Sequence, residues 1–232
     1  MIDMTAVAGI VKILFVAVII AAAYIISTRN VLSLVSVYAL QSLTLAAIAF
    51  TLWLVRDNPV LLEIAVITLA SKVLIIPYFI ATIQERIRIK RDIEFHYLSP
   101  TTSLLVSMVL MLVIYFAFSG FIPHAAGDTE AGLLLFGAVI GISLMLMGMM
   151  VTFSRKRAIT KVMGYLSMEN GVLLFGMFVT ELPFIIEFLI IIDLIILVLL
   201  TTILAVGIDS TLEEYHNRLH RFYLWGETED TR

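Results

Sequence analysis

Among the ionisable side chains that fall inside stretches otherwise apolar, six could do chemistry: Glu63, Lys72, Lys161, Glu169, Glu187 and Asp193. A charge at the centre of a bilayer costs about 2.5–3.5 kcal/mol on insertion scales, so such groups face a bundle interior or a wet path and pair with one another. The chemistry open to a carboxylate and an amine in that position is proton exchange. Loss of water disfavours the charged form of either group and a nearby opposite charge restores it; the balance decides whether protons load and unload near neutral pH. The other reading is mechanical, with the same charges pinning helices together and moving nothing. Both readings stand at this stage.

The elements that position these groups follow from composition. Of the 232 residues 61% are hydrophobic and 14% charged, which is the composition of a membrane protein. A hydrocarbon core of roughly 30 Å takes about 20 residues of helix. Seven windows suit it, near 6–27, 31–55, 60–82, 101–122, 131–153, 158–180 and 184–207. The apolar runs are continuous and lack the alternation of a barrel strand, and every backbone polar group in lipid must be paired within its own segment, so the expectation is an all-α integral membrane protein. Asp3 leads into a window of full spanning length, which predicts a retained first helix rather than a cleaved signal peptide.

There is no cysteine, and so no disulfide and no thiolate-held iron–sulfur cluster; any redox chemistry is expected in other subunits. His96, His124, His216 and His220 lie outside the seven windows. His216 and His220 have the spacing of a metal pair but no carboxylate constellation beside them, and no metal or cofactor is expected in this chain. The net charge of −3 does not set topology, and no nucleic-acid partner is expected.

Basic residues set the orientation. With the amino end outside, the inner connections hold Arg29; Arg86, Arg88, Lys90 and Arg91; Arg155, Lys156 and Arg157; and Arg218, Arg221 and Arg232, against Lys12 and Arg56 outside. The positive-inside rule then predicts a multi-pass protein of the cell membrane with its carboxyl end in the cytoplasm.

An internal repeat is also visible. Arg29, Gln41 and Phe50 precede Arg157, Glu169 and Phe178 by 128 residues, and after a four-residue shorter turn P-V-L-L-E (59–63) aligns with P-F-I-I-E (183–187). The reading is two parallel three-helix units joined by one extra helix: 1–99 with its cytoplasmic connection, 100–130 as the connecting span and outer turn, 131–208 as the second unit, and a tail, 209–232. Ser210 and Glu213 form a capping box in that tail, and Leu212, Tyr215, Leu219 and Phe222 follow at helical spacing, which predicts an amphipathic helix on the inner surface.

Depth sorts the charges. At about 1.5 Å per residue, Glu169 lies roughly 18 Å from the inner boundary, Asp193 about 15 Å from the outer turn, and Lys72 about 20 Å below Pro59, all near the midplane. Lys161, Glu187 and Glu63 are shallow, about 6 Å in. Lys161 and Glu169 are about 80° apart around their helix and could share a face, whereas Glu63 and Lys72 point to opposite sides. No single helix holds the whole set, so any path runs laterally between units. Asn170 would extend it by hydrogen bonding, Gly171 would permit close helix approach or a local bulge, and Gly137 with Gly141 would pack helices.

At these residues the chain resembles a known family. The run R-K-R-A-I-T-K-V-M-G-Y-L-S-M-E-N-G (155–171), with P-F-I-I-E (183–187), I-D-L-I (192–195), Y-A-L-Q-S-L (38–43) and T-L-A-S-K-V-L-I-I-P (68–77), is similar to component E of hydrogenase-4 over nearly the whole length. The resemblance implies a non-catalytic subunit of group 4 nickel–iron hydrogenases and formate hydrogenlyase-type complexes, its second half similar to subunit K of complex I. The implied partners are antiporter-like membrane subunits, a membrane protein similar to the H component of complex I, and peripheral subunits carrying the nickel–iron centre and iron–sulfur clusters. The implied proton path runs through Glu169 and Asp193. Glu169 falls one turn after the position of the first glutamate of subunit K, which is Leu166 here. In the first unit Gln41 stands in place of a carboxylate and Lys72 near the second acidic position, as an electrostatic partner.

Overall fold

The structure, a computed structural model, describes residues 4–28, 30–87, 99–120, 129–155 and 158–179, and beyond them 188, 190–193, 195, 196, 198, 199 and 202. The described residues are almost entirely helical and contain no strand. Helix α1 (Met4–Ser27) leads into α2 (Val31–Arg56), whose first turn is capped by Asn30 accepting from the Leu32 N–H. Asp57 ends α2 in the left-handed conformation, φ 49°, with its N–H bonded to the Trp53 carbonyl. Asn58 then caps α3 (Pro59–Thr68), with proline in the first turn, where a missing N–H is harmless. This span continues through a π-helical stretch, Leu69–Ile75, into α4 (Ile76–Ile87). Helix α5 (Pro100–Ser119) repeats the starting device, Ser99 accepting from the Thr102 N–H ahead of Pro100. Helices α6 (Thr129–Ser154) and α7 (Ala158–Val179) follow.

Among the described residues six helices are long and apolar enough to cross a membrane: Ala6–Ser27, Val31–Arg56, Pro59–Thr82, Pro100–Phe118, Glu130–Ser154 and Ile159–Val179. These match the first six sequence windows to within a few residues. At the seventh window the described residues are helical. The connection 88–98, the outer turn 121–128, the tail 209–232, all four histidines and Glu187 lie outside the described residues. Large apolar side chains such as Ile13, Tyr78, Phe116 and Phe153 are exposed, the surface that lipid or a neighbouring membrane helix would cover.

Helices in hydrocarbon gain little by hiding apolar side chains from one another, so backbone approach decides which pairs form. The pair α6 and α7 shows this most strongly. A Cβ on Gly141 would lie 2.6 Å from the Phe175 backbone nitrogen, and one on Gly164 the same distance from that of Thr152. At Gly148 and Gly171 a Cβ would run into the backbone nitrogens of Met168 and Met145, and at Gly137 into the Phe178 ring. Glycines on both helices thus let the two backbones touch along their length.

Two further contacts fix the ends. The Arg155 guanidinium, just past α6, is buried and donates through Nη2 to the carbonyls of Ile25, Ile26 and Thr28 at 3.3, 3.0 and 2.7 Å. A cation on the last carbonyls of a helix complements its dipole and fills its free acceptors. α1 and α6 therefore end on one side of the bundle. On the opposite side Arg56, at the end of α2, pairs with Glu130, at the start of α6, at 3.1 Å.

Candidate functional site

The residues around Lys72 owe their arrangement to the π-helical stretch. Pro77 has no N–H to donate, and in a regular helix its ring would clash with the carbonyl four residues before it. Upstream the ladder widens, and the Ile76 N–H bonds to the Ser71 carbonyl, five residues back. A π turn accommodates one extra residue and locally changes which side chains face inward. Here Thr68 and Lys72 both face inward and are fully buried, while Leu69 and Leu74 face out.

Three segments meet around the Lys72 ammonium, and a fourth, α2, backs them through Asn170. Its Nζ lies 2.8 Å from Glu169 Oε1 on α7, 3.9 Å from Asp193 Oδ1, and donates at 3.4 Å to Asn170 Oδ1. The side chain of Lys72 is fully buried and that of Glu169 is 3% exposed; Asp193 is 11% exposed. Behind Asn170, its Nδ2 donates to Gln41 Oε1 at 3.2 Å and to Ser42 Oγ at 3.0 Å, and Ser167 Oγ donates to the same Gln41 oxygen at 3.2 Å. Gln41 and Ser42 are on α2, and both are fully buried. Asn170 is thereby oriented: its amide protons are taken by α2, which turns its oxygen toward Lys72.

The site holds one ammonium and two carboxylates. With both acids ionised its charge is −1, and one added proton makes it neutral. A buried ion pair is weak evidence for stability, because desolvation opposes attraction, and breaking one partner away leaves an uncompensated charge. Such an arrangement suits a group that changes protonation state without leaving its place.

Of the six charged residues singled out in the sequence, the structure brings together Lys72, Glu169 and Asp193, the three that helix rise places at similar depth. Asn170 and Gln41 join them as hydrogen-bond partners. Glu63 and Lys161 are exposed and stand apart from the cluster, and Glu187 lies outside the described residues. The shared face allowed for Lys161 and Glu169 is not present: Lys161 faces outward and Glu169 inward on α7. At about 80° of separation the two straddle the edge of the buried face. Gly171 serves close approach, against Met145, and α7 is unbroken around it; the bulge is on the other unit, at Lys72.

Sequence reasoning missed Ser42, Ser167, Thr68 and Tyr38, whose small or amphipathic side chains give no signal in an apolar run. It also missed the π-helical stretch, for which Pro77 inside a spanning window was the available sign. Comparison of the chain with family models, with curated proteins and with solved structures found no match.

Proposed function

We propose that this chain is a membrane-arm subunit of an ion-translocating group 4 nickel–iron hydrogenase or formate hydrogenlyase-type complex. In this reading the chain crosses the cell membrane seven times with its amino end outside. The observation that carries the translocation half is the Lys72–Glu169–Asp193 cluster, one base facing two acids, buried where three segments meet. The hydrogenase half rests on the resemblance of residues 38–43, 68–77, 155–171, 183–187 and 192–195 to component E of hydrogenase-4. With no cysteine in the chain, the nickel–iron centre and the iron–sulfur clusters belong to partner subunits.

In the proposed mechanism electron transfer in the peripheral arm alters charge or hydration beside the cluster. Glu169 and Asp193 then exchange a proton, and Lys72 carries the electrostatic change toward an antiporter-like neighbour. A second reading is favoured by the same ion pair, which joins α7 to the π-helical stretch: the cluster is a structural rivet in a scaffold subunit. A subunit of a cation/proton antiporter without redox partners would use the cluster as the first reading does.

The test is purification through a tag on this chain in mild detergent, with mass spectrometry of the partners and nickel and iron analysis of the same sample. Recovery of a nickel–iron large subunit together with antiporter-like proteins supports the proposal. Antiporter subunits without metal would make the chain part of an ion exchanger and overturn the hydrogenase reading.

A further inference from the structure

Buried polar groups are nearly always hydrogen-bonded, so a concentration of orphans in one place points to a ligand. Around the cluster three buried donors have no acceptor in hydrogen-bond geometry: the Tyr38 hydroxyl, which has the Ser42 side chain beside it, and Gln41 Nε2 on α2, and the Thr68 hydroxyl on α3. The four carboxylate oxygens of Glu169 and Asp193 likewise accept no hydrogen bond, and their only counter-charge among the described residues is the Lys72 ammonium, 2.8 Å from Glu169 Oε1 and 3.9 Å from Asp193 Oδ1. Tyr38, Gln41 and Thr68 are each fully buried, and Glu169 is 3% exposed. Tyr38 and Gln41 are three residues apart on α2, and Thr68 and Lys72 four apart on their span, so each pair lies on one helix face turned to the cluster. Donors on one side and acceptors on the other, with no hydrogen bond from one set to the other, is the pattern that bridging water satisfies.

We propose that Tyr38 and Thr68 hold ordered water against Glu169 and Asp193 and act as the hydroxyl relays through which a proton crosses between the two carboxylates. A hydroxyl both donates and accepts, which the Lys72 ammonium, a donor only, and the Asn170 amide cannot do in one step. A proton leaving Glu169 is taken up by water as that water gives one of its own to the next hydroxyl or water, and the last member protonates Asp193. One proton moves, and every relay group ends as it began. The Gln41 amide orients the water without taking part. Lys72 stays paired throughout and keeps the two acids from both being uncompensated.

The inference rests on the proposed ion-translocating role of the cluster, and the test separates the two. Tyr38→Phe and Thr68→Val each remove one orphan hydroxyl and keep the shape, and Thr68→Ser restores a hydroxyl. Removal of a buried polar group that has no partner is neutral or stabilising if the group is merely structural. The assembled complex is assayed in everted membrane vesicles for yield, for hydrogen oxidation with an artificial acceptor, and for hydrogen-driven quenching of a pH-sensitive dye. The expected result is unchanged or higher yield, unchanged hydrogen oxidation, and proton movement per hydrogen reduced about tenfold or more, since a positioned proton-transfer group is worth a factor of about 10² or higher. Thr68→Ser retains wild-type coupling. Wild-type coupling in assembled Tyr38→Phe and Thr68→Val, with Glu169→Gln uncoupled, overturns the relay and leaves the proposed function standing. Reduced assembly in both hydroxyl variants assigns them to folding and overturns the relay. No dye response in the wild-type vesicles overturns both.

Discussion

Replacing Lys72 by methionine should damage the protein more than neutralising either acid beside it. The ammonium is fully buried, 2.8 Å from Glu169 and 3.9 Å from Asp193, so its loss leaves two carboxylates without a counter-charge. Removing one partner of a buried pair costs about 3–5 kcal/mol, and Lys72→Met should fall in that range. Glu169→Gln is milder, about 1–2 kcal/mol, because Asp193 and Asn170 Oδ1 still face the ammonium and glutamine keeps an acceptor. In the double variant only Asp193 remains uncompensated, so its cost should fall short of the sum of the two singles by at least about 1 kcal/mol. The assay is thermal unfolding of the chain in its purified complex, followed for all four proteins of the cycle. Additive costs, with a coupling under about 0.5 kcal/mol, would refute the buried ion pair.

Other outcomes follow from the packing and from the outlying charges. Gly148→Val and Gly171→Val should each cost about 3 kcal/mol or more and lower complex yield, because the new side chain meets the backbone of Met168 or Met145, which has nowhere to go. Gly9→Ala, with nothing within 4 Å, should be neutral or up to about 1 kcal/mol stabilising in the same unfolding assay. Arg155→Ala should cost about 2–4 kcal/mol and open the end of α1 to proteolysis, since three carbonyls lose one charged donor. Glu63→Gln and Lys161→Gln, both at exposed positions away from the cluster, should leave ion translocation per turnover unchanged.

That these charged residues meet was legible because helix rise is constant: counting along each window put Lys72, Glu169 and Asp193 at one level, and in the structure their side chains come together. Rotation about each helix axis was less so. The π-helical stretch at Leu69–Ile75 changes the inward face of the third span, and no residue within it advertises that. Pro77, six residues after Ser71, carries the cause downstream of its effect. Arg155 was read as one more cytoplasmic charge, yet it is buried on the carbonyls of α1; a count of basic residues cannot tell a surface arginine from one that caps a neighbouring helix. Gly137 and Gly141 announced a packing face, but Gly148 follows Gly141 by seven residues on α6 and Gly171 follows Gly164 by seven on α7, a pattern that emerges only when the two helices are laid together.

The most direct test of the central claim is the number of ions moved per hydrogen oxidised by the assembled complex carrying Glu169→Gln, measured in vesicles beside wild type. If the Lys72–Glu169–Asp193 cluster is part of an ion path, the variant assembles, oxidises hydrogen with an artificial acceptor at the wild-type rate, and moves few or no ions. An assembled Glu169→Gln complex that moves ions in the wild-type ratio would contradict the account and leave the cluster as a rivet between helices.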